Sequence, residues 1–100
     1  MIQERSDPKI DLQDLTRYFY ALKEMWRLHM IHALAEAEEL TVSELAQRLH
    51  ISQPLVSWHL RRLRQASMVN VRRQGRESYY TLDREQMAAY QSAFNELLNP

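Results

Sequence analysis

The chain contains no cysteine, one glycine and three prolines in 100 residues. Without thiols there is no disulfide, no thiolate metal site and no cysteine nucleophile. A single glycine excludes the glycine-rich loops that cradle phosphates. Its isolation marks Gly75 as the place where the chain needs a positive φ. No apolar run approaches the ~18 residues of a membrane span, so no membrane partner is expected. The segment Met1-Ile-Gln-Glu-Arg-Ser-Asp-Pro8 is polar and lacks the apolar stretch of a signal peptide, which sets the expected location as cytoplasmic. Repeats, linkers and low-complexity stretches are missing as well. So are a nucleophile–base pair and a metal cluster, which argues against an enzyme and against any cofactor.

What is present is a globular composition, 45% hydrophobic and 26% charged, at a length that makes residues 1–100 one domain. Thirteen Lys and Arg balance thirteen Asp and Glu, for a net charge of zero. The balance hides a segregation. From Leu45 to Arg76 there are seven arginines and no Asp or Glu. One part of a small domain is a concentrated cationic surface, the footprint of a nucleic-acid reader.

The periodicity divides the chain. Residues 1–10 read as a flexible arm. Asp11 is placed to cap a helix, with Asp14 at its positive end. Leu12, Leu15, Phe19 and Leu22 then follow at helical spacing to about residue 24. A second helical stretch through Leu28, Ile31 and Leu34 runs to about Ala37, with a break near Glu24–Trp26. Thr41-Val-Ser-Glu44 is a capping box and opens a short third helix ending near Leu49. Ser52 is the N-cap of a fourth, with Pro54 in its tolerant first turn. About three residues separate the two, so residues 41–66 read as a helix-turn-helix. The period then changes to two. Val69 and Val71 alternate with polar residues, and after Gln74-Gly75 comes Glu77-Ser-Tyr-Tyr-Thr-Leu82, so residues 69–82 form a hairpin. Asp83 caps a last helix over 83–98, whose stripe is Met87, Tyr90, Phe94, Leu97 and Leu98. The expected class is mainly α, about five helices with a two-stranded hairpin before the last.

On the fourth helix Val56, Leu60 and Leu63 share one face and should pack inward. Gln53, Ser57, Arg61 and Arg64 share another and should face solvent. Gln and Ser can exchange hydrogen bonds with base edges, and Arg can serve phosphates or guanine. The hairpin tip Arg72-Arg-Gln-Gly-Arg76, with Arg73 and Gln74 at its centre, places three cations on a thin ribbon suited to a backbone or minor groove.

These residues resemble the ArsR/SmtB family of winged helix-turn-helix regulators. The resemblance lies in Glu39-Leu-Thr-Val-Ser-Glu-Leu-Ala46, in Ile51-Ser-Gln-Pro-Leu-Val-Ser-Trp-His-Leu-Arg-Arg-Leu-Arg64 and in the wing ending Tyr79-Tyr-Thr-Leu82. It covers roughly Leu22 to Leu82. It implies a dimer whose recognition helix enters the major groove, with Ser52, Gln53, Ser57, His59 and the wing arginines approaching double-stranded DNA. Three departures stand out. The family often has Pro-Thr before the arginine opening helix two, where this chain has Met25-Trp26 before Arg27. A glycine usually ends the recognition helix, where this chain has Ser67. The family's best-known metal site uses two cysteines flanking a valine, and here they are Thr41 and Ser43. Hydroxyls are poor ligands for soft or borderline ions. The alternative site on the last helix needs His, and none follows His59, so no metal site is expected.

Several residues admit two readings. His29 and His32 could share a metal, although no carboxylate or Cys partner is evident. His59 could touch a phosphate or anchor its helix. Trp58 lies beside the reading face and could join the DNA contact, whereas Trp26 suits the core or an interface. Tyr18, Phe19, Tyr90 and Phe94 fit an interface better than an effector pocket. A 100-residue domain cannot easily cover two apolar stripes internally. A homodimer through Leu12, Leu15, Phe19 and Leu22 with Tyr90, Phe94 and Leu97 is therefore expected. The leading functional expectation is a homodimeric repressor that occludes a promoter at a near-palindromic operator. Its rival is a winged-helix module that docks an acidic partner protein.

Overall fold

A computed structural model describes residues 9–100. Most of the expected N-terminal arm lies outside them; Ile10, at its end, packs against the core. Helix α1 spans Leu12–Leu22 and α2 spans Met25–Ala37. A short strand β1, Leu40–Thr41, precedes α3, Val42–Leu49. Then come α4, Gln53–Gln65, β2, Val69–Gln74, β3, Glu77–Leu82, and α5, Arg84–Leu98.

Local chemistry sets most of these boundaries. At α1, Asp11 Oδ1 accepts from the Asp14 N–H at 2.8 Å while Asp14 Oδ2 accepts from the Asp11 N–H at 3.1 Å. This reciprocal pair satisfies two orphan donors and, led by the hydrogen bond from the Asp11 backbone, holds the Asp14 carboxyl below its usual range. Thr41 and Glu44 make the same exchange at α3, at 3.1 and 2.9 Å. Asp83 accepts from the Gln86 N–H at 3.0 Å to start α5. Helix α2 has no side-chain cap at Glu24, and the break before it falls at Lys23–Glu24, slightly earlier than the periodicity suggested.

Three helices end on non-glycine residues with positive φ, α2 at Glu38 with φ 73° and then α3 and α4. His50 has φ 58° and Ser67 has φ 61°. After α4 the Met68 N–H donates to Leu63 O at 3.0 Å and the Ser67 N–H to Arg64 O at 2.9 Å. That is a Schellman closure, built on a serine at a cost of about 1 kcal/mol relative to glycine. Gly75, at φ 61°, opens the two-residue loop between β2 and β3. It alone of the two loop residues has a positive φ, as a type II′ hairpin turn requires.

The hairpin is one strand wider than expected. β3 pairs with β2 from Val69↔Leu82 to Gln74↔Glu77 and also with β1 through Leu40↔Tyr80 and Thr41↔Tyr79. The antiparallel sheet thus has the order β1-β3-β2. The hairpin is tied at its base to the segment that caps α3, so wing and helix-turn-helix share a frame. Met30, Leu34, Leu45, Val56, Leu60, Leu63 and Met68 are fully buried beneath them. Truncating any one of the leucines to Ala costs about 2–5 kcal/mol.

Candidate nucleic-acid interface

Helix α4 starts where the Ser52 hydroxyl accepts from the Leu55 N–H at 3.3 Å. Its apolar side, Val56, Leu60 and Leu63, has no exposed surface, so the helix cannot rotate without opening the core. The opposite side is fixed by the same constraint. Gln53, Arg61 and Arg64 are exposed, Ser57 is half-buried, and Ser52 is exposed at the N-terminus. Trp58 is 43% exposed beside this face, and two guanidinium groups lie near its ring, Arg27 at 5.4 Å and Arg62 at 5.2 Å.

His59 is placed differently from the other candidates. It is only 3% exposed, and its Nδ1 accepts from Arg27 Nε at 3.2 Å. Arg27 is itself buried and donates through Nη1 to the Ala21 carbonyl at 3.2 Å. Burial first, and the Arg27 charge second, hold the His59 imidazole below its ordinary value. The burial and the contact to Arg27 are those of a residue that anchors its helix. Arg27 was not among the sequence candidates. The signal available was a lone arginine within the apolar stretch of α2.

The wing cations divide in two. Arg72 is engaged. Its Nε and Nη2 donate to Glu39 at 3.1 and 3.0 Å, Nη1 donates to Gln74 Oε1 at 2.6 Å, and the guanidinium lies 4.5 Å from the Tyr79 ring. The hydrogen bond to Glu39 raises its pKa further. The acid-free window is thus answered from outside by Glu39, which the folding of β1 beside β3 brings alongside. Arg73 donates to Ser78 Oγ across the hairpin at 3.1 Å. Arg76 stands at the exposed tip, with no ion pair among the described residues. The structure thus exposes both a polar side of α4 and an arginine at the hairpin tip.

The sequence profile described as "Bacterial regulatory protein, arsR family" matches residues 26–71, from α2 into the wing. The chain is 38% identical over 86 residues to the "Transcriptional repressor SmtB homolog" of Synechocystis, a match covering 85% of this chain and 64% of that protein. Among solved structures it resembles reduced HlyU from Vibrio cholerae, with 32% identity, TM-score 0.68, and 80% of this chain and 84% of that one covered. It also resembles an ArsR-like regulator from Rhodococcus sp. RHA1, with 25% identity, TM-score 0.78 and coverages of 85% and 79%. The chain belongs to the ArsR/SmtB family. Its architecture is the winged helix-turn-helix of that family of bacterial regulatory proteins. The chain spans 64% of the length of the Synechocystis relative and about half that of two other curated relatives, from Pseudomonas putida and Mycobacterium tuberculosis.

Thr41 and Ser43 stand where the resemblance places the family's cysteine pair. The Thr41 hydroxyl is committed to the Glu44 N–H, and Ser43 is exposed on the first turn of α3. These two hydroxyls do not fit a thiophilic ion. Elsewhere among the described residues, His32 Nε2 lies 3.5 Å from Glu36 on the surface and His29 sits 5.6 Å from Trp26. No group of three or more such side chains stands together among the described residues.

The expected dimer residues are also sorted by the fold. Leu15 and Tyr90 are 4% and 8% exposed, used up where α1 packs on α5. Tyr90 stacks on Tyr18 at 4.4 Å. Leu22 is partly buried against the core. Leu12, Phe19, Phe94 and Leu97 remain exposed, joined by Leu98. Phe19 and Phe94 meet edge to face at 5.1 Å, so α1 and α5 present one shared apolar surface.

Proposed function

We propose that this chain is a sequence-specific double-stranded DNA-binding repressor that works as a homodimer and occludes a promoter. The observation that carries the reading is α4. Its base is locked by three fully buried residues while Gln53, Ser57, Arg61 and Arg64 stand outward beside an arginine-tipped wing. Gln53 and Ser57 read base edges in the major groove, and Trp58 adds a contact at the rim of that face. Arg61, Arg64, Arg73 and Arg76 neutralise phosphates. His59 holds the helix through Arg27 rather than touching DNA. Arg72 and Gln74 set the wing's position through Glu39. Leu12, Phe19, Phe94 and Leu97 cover one another across a two-fold axis. The operator is near-palindromic because the protein is symmetric. The setting is the cytoplasm, where the duplex is reached directly.

Repression is favoured over activation by the extent of similarity. The relative named a repressor aligns over 85% of this chain, and the Vibrio cholerae relative named an activator over 63%. Selection of bound sequences from random duplex DNA tests the reading. Enrichment of an inverted repeat with half-site centres ~10 bp apart, or a multiple of that, is expected. No enriched sequence at moderate salt would overturn it in favour of a module that docks an acidic protein.

A further inference from the structure

A cavity of about 180 Å³ opens where α1, α2 and α4 meet, away from the polar face of α4. Arg62 lies nine residues after Gln53, roughly half a turn around the helix at ~100° per residue. Three guanidinium-bearing side chains line this cavity, one from each helix: Arg17, Arg27 and Arg62. Tyr20 and Gln65 complete its polar edge, and Ala21 and Ala66 its apolar wall.

No carboxylate lines the cavity. Asp14 pairs with Arg17 at 2.7 Å from outside it, and Arg62 has only a 3.5 Å contact to the Gln65 amide oxygen. Arg27 is 4% exposed and commits Nε and Nη1 to neutral acceptors, His59 and Ala21. Its Nη2 has no hydrogen-bond partner among the described residues. Arg27 is among the residues that line the cavity. Converging like charges repel in a partly desolvated site, and an anion relieves that repulsion through charge-assisted, bidentate hydrogen bonds. The space holds roughly six water volumes at ~30 Å³ each, the size of a small carboxylate with an apolar body.

We propose that this cavity is a binding site for a small monocarboxylate, held by Arg62 and Arg27 with Arg17 at the rim. Arg27 also holds His59, and Arg62 is part of α4, so the ligand touches the helix assigned above to DNA. Its influence on DNA rests on that assignment; its binding does not.

The test is calorimetric and fluorescence titration of the DNA-free protein with benzoate, using neutral benzamide as the isosteric control. Trp58, packed against Arg62, reports occupancy. Saturable one-to-one binding of benzoate is expected, with benzamide weaker by about tenfold or more, one decade in Kd. Arg62→Met should remove binding while keeping the apolar stem. Arg17→Met, on a different helix, should weaken it and serves where Arg62→Met does not fold. Equal binding of benzamide, undiminished binding in folded Arg62→Met, or no saturable binding of benzoate would overturn the proposal. So would a result in which no small anion binds but Arg62→Met lowers the salt dependence of duplex binding by about one unit, the loss of one phosphate contact. The titration contains no DNA, so failure of the operator selection leaves its outcome readable.

Discussion

Arg27 Nε donates a 3.2 Å hydrogen bond to His59 Nδ1, joining two buried residues 32 positions apart. The contact needs a neutral imidazole, because a ring protonated at Nδ1 cannot accept and would face a guanidinium. It ties α2 to the helix that presents Gln53 and Ser57, so it links stability to the surface proposed to face DNA.

Stability should therefore fall in mild acid. Burial, then Arg27, lower the His59 pKa below its ordinary 6.5, with Glu24 pulling weakly the other way. The unfolded chain takes up this proton first. The contribution is complete above about pH 6.5 and is lost as the pH falls toward the lower folded value. Melting temperatures between pH 7.5 and 5.5 should drop for the natural chain and drop less for His59→Gln, which cannot titrate. Equal slopes would show that His59 is not the group responsible.

The wing arginines should behave unequally. Arg73→Ala and Arg76→Ala should weaken all duplexes about equally and each flatten the log–log salt dependence by about one unit. Arg72 is held by Glu39, so Arg72→Ala and Glu39→Ala should have similar effects on DNA affinity. Together they should cost much less than their sum. Additive effects in that double-mutant cycle would mean Arg72 acts on DNA independently of Glu39.

Sequence preference should reside in α4. Gln53→Ala and Ser57→Ala should each relax preference at one position by about 1–3 kcal/mol and leave the salt dependence unchanged. Should preference survive both changes and shift with a wing substitution, the hairpin is the reader.

Phe19 and Phe94 touch one another and remain 42% and 38% exposed. Burying such a side chain contributes about 1.5–3 kcal/mol. The double change Phe19→Asp, Phe94→Asp should raise the dimer dissociation constant by about two decades or more, with duplex affinity falling in parallel. Sedimentation equilibrium measures the first effect. A natural chain that is monomeric at micromolar concentration would refute the interface.

Zinc, cadmium and arsenite should leave duplex binding unchanged, because Thr41 and Ser43 offer hydroxyls and Thr41 is committed to capping α3. His29→Ala should have no effect on that result. A stoichiometric metal that lowers affinity more than about tenfold would point to a site the sequence does not show, on a scale where tenfold is about 1.4 kcal/mol.

Within one or two turns of chain, side-chain chemistry decides structure. The reciprocal pair at Thr41 and Glu44, the caps at Ser52 and Asp83, the inward row Val56, Leu60 and Leu63, and the turn at Gly75 were therefore all legible in the sequence. So was the segregation of arginine from acid. Packing decided what lies far apart along the chain. Glu39 reaches Arg72 only because β1 pairs beside β3, and His59 faces Arg27 only because α4 lies across α2. Leu15 and Tyr90 had the same spacing as Leu12 and Phe94, yet the first two are buried between α1 and α5 within the chain and the others are left on its surface. Periodicity specifies which face of a helix is apolar. Which part of that face is covered depends on where the neighbouring helix crosses it, and only the tertiary structure determines that crossing.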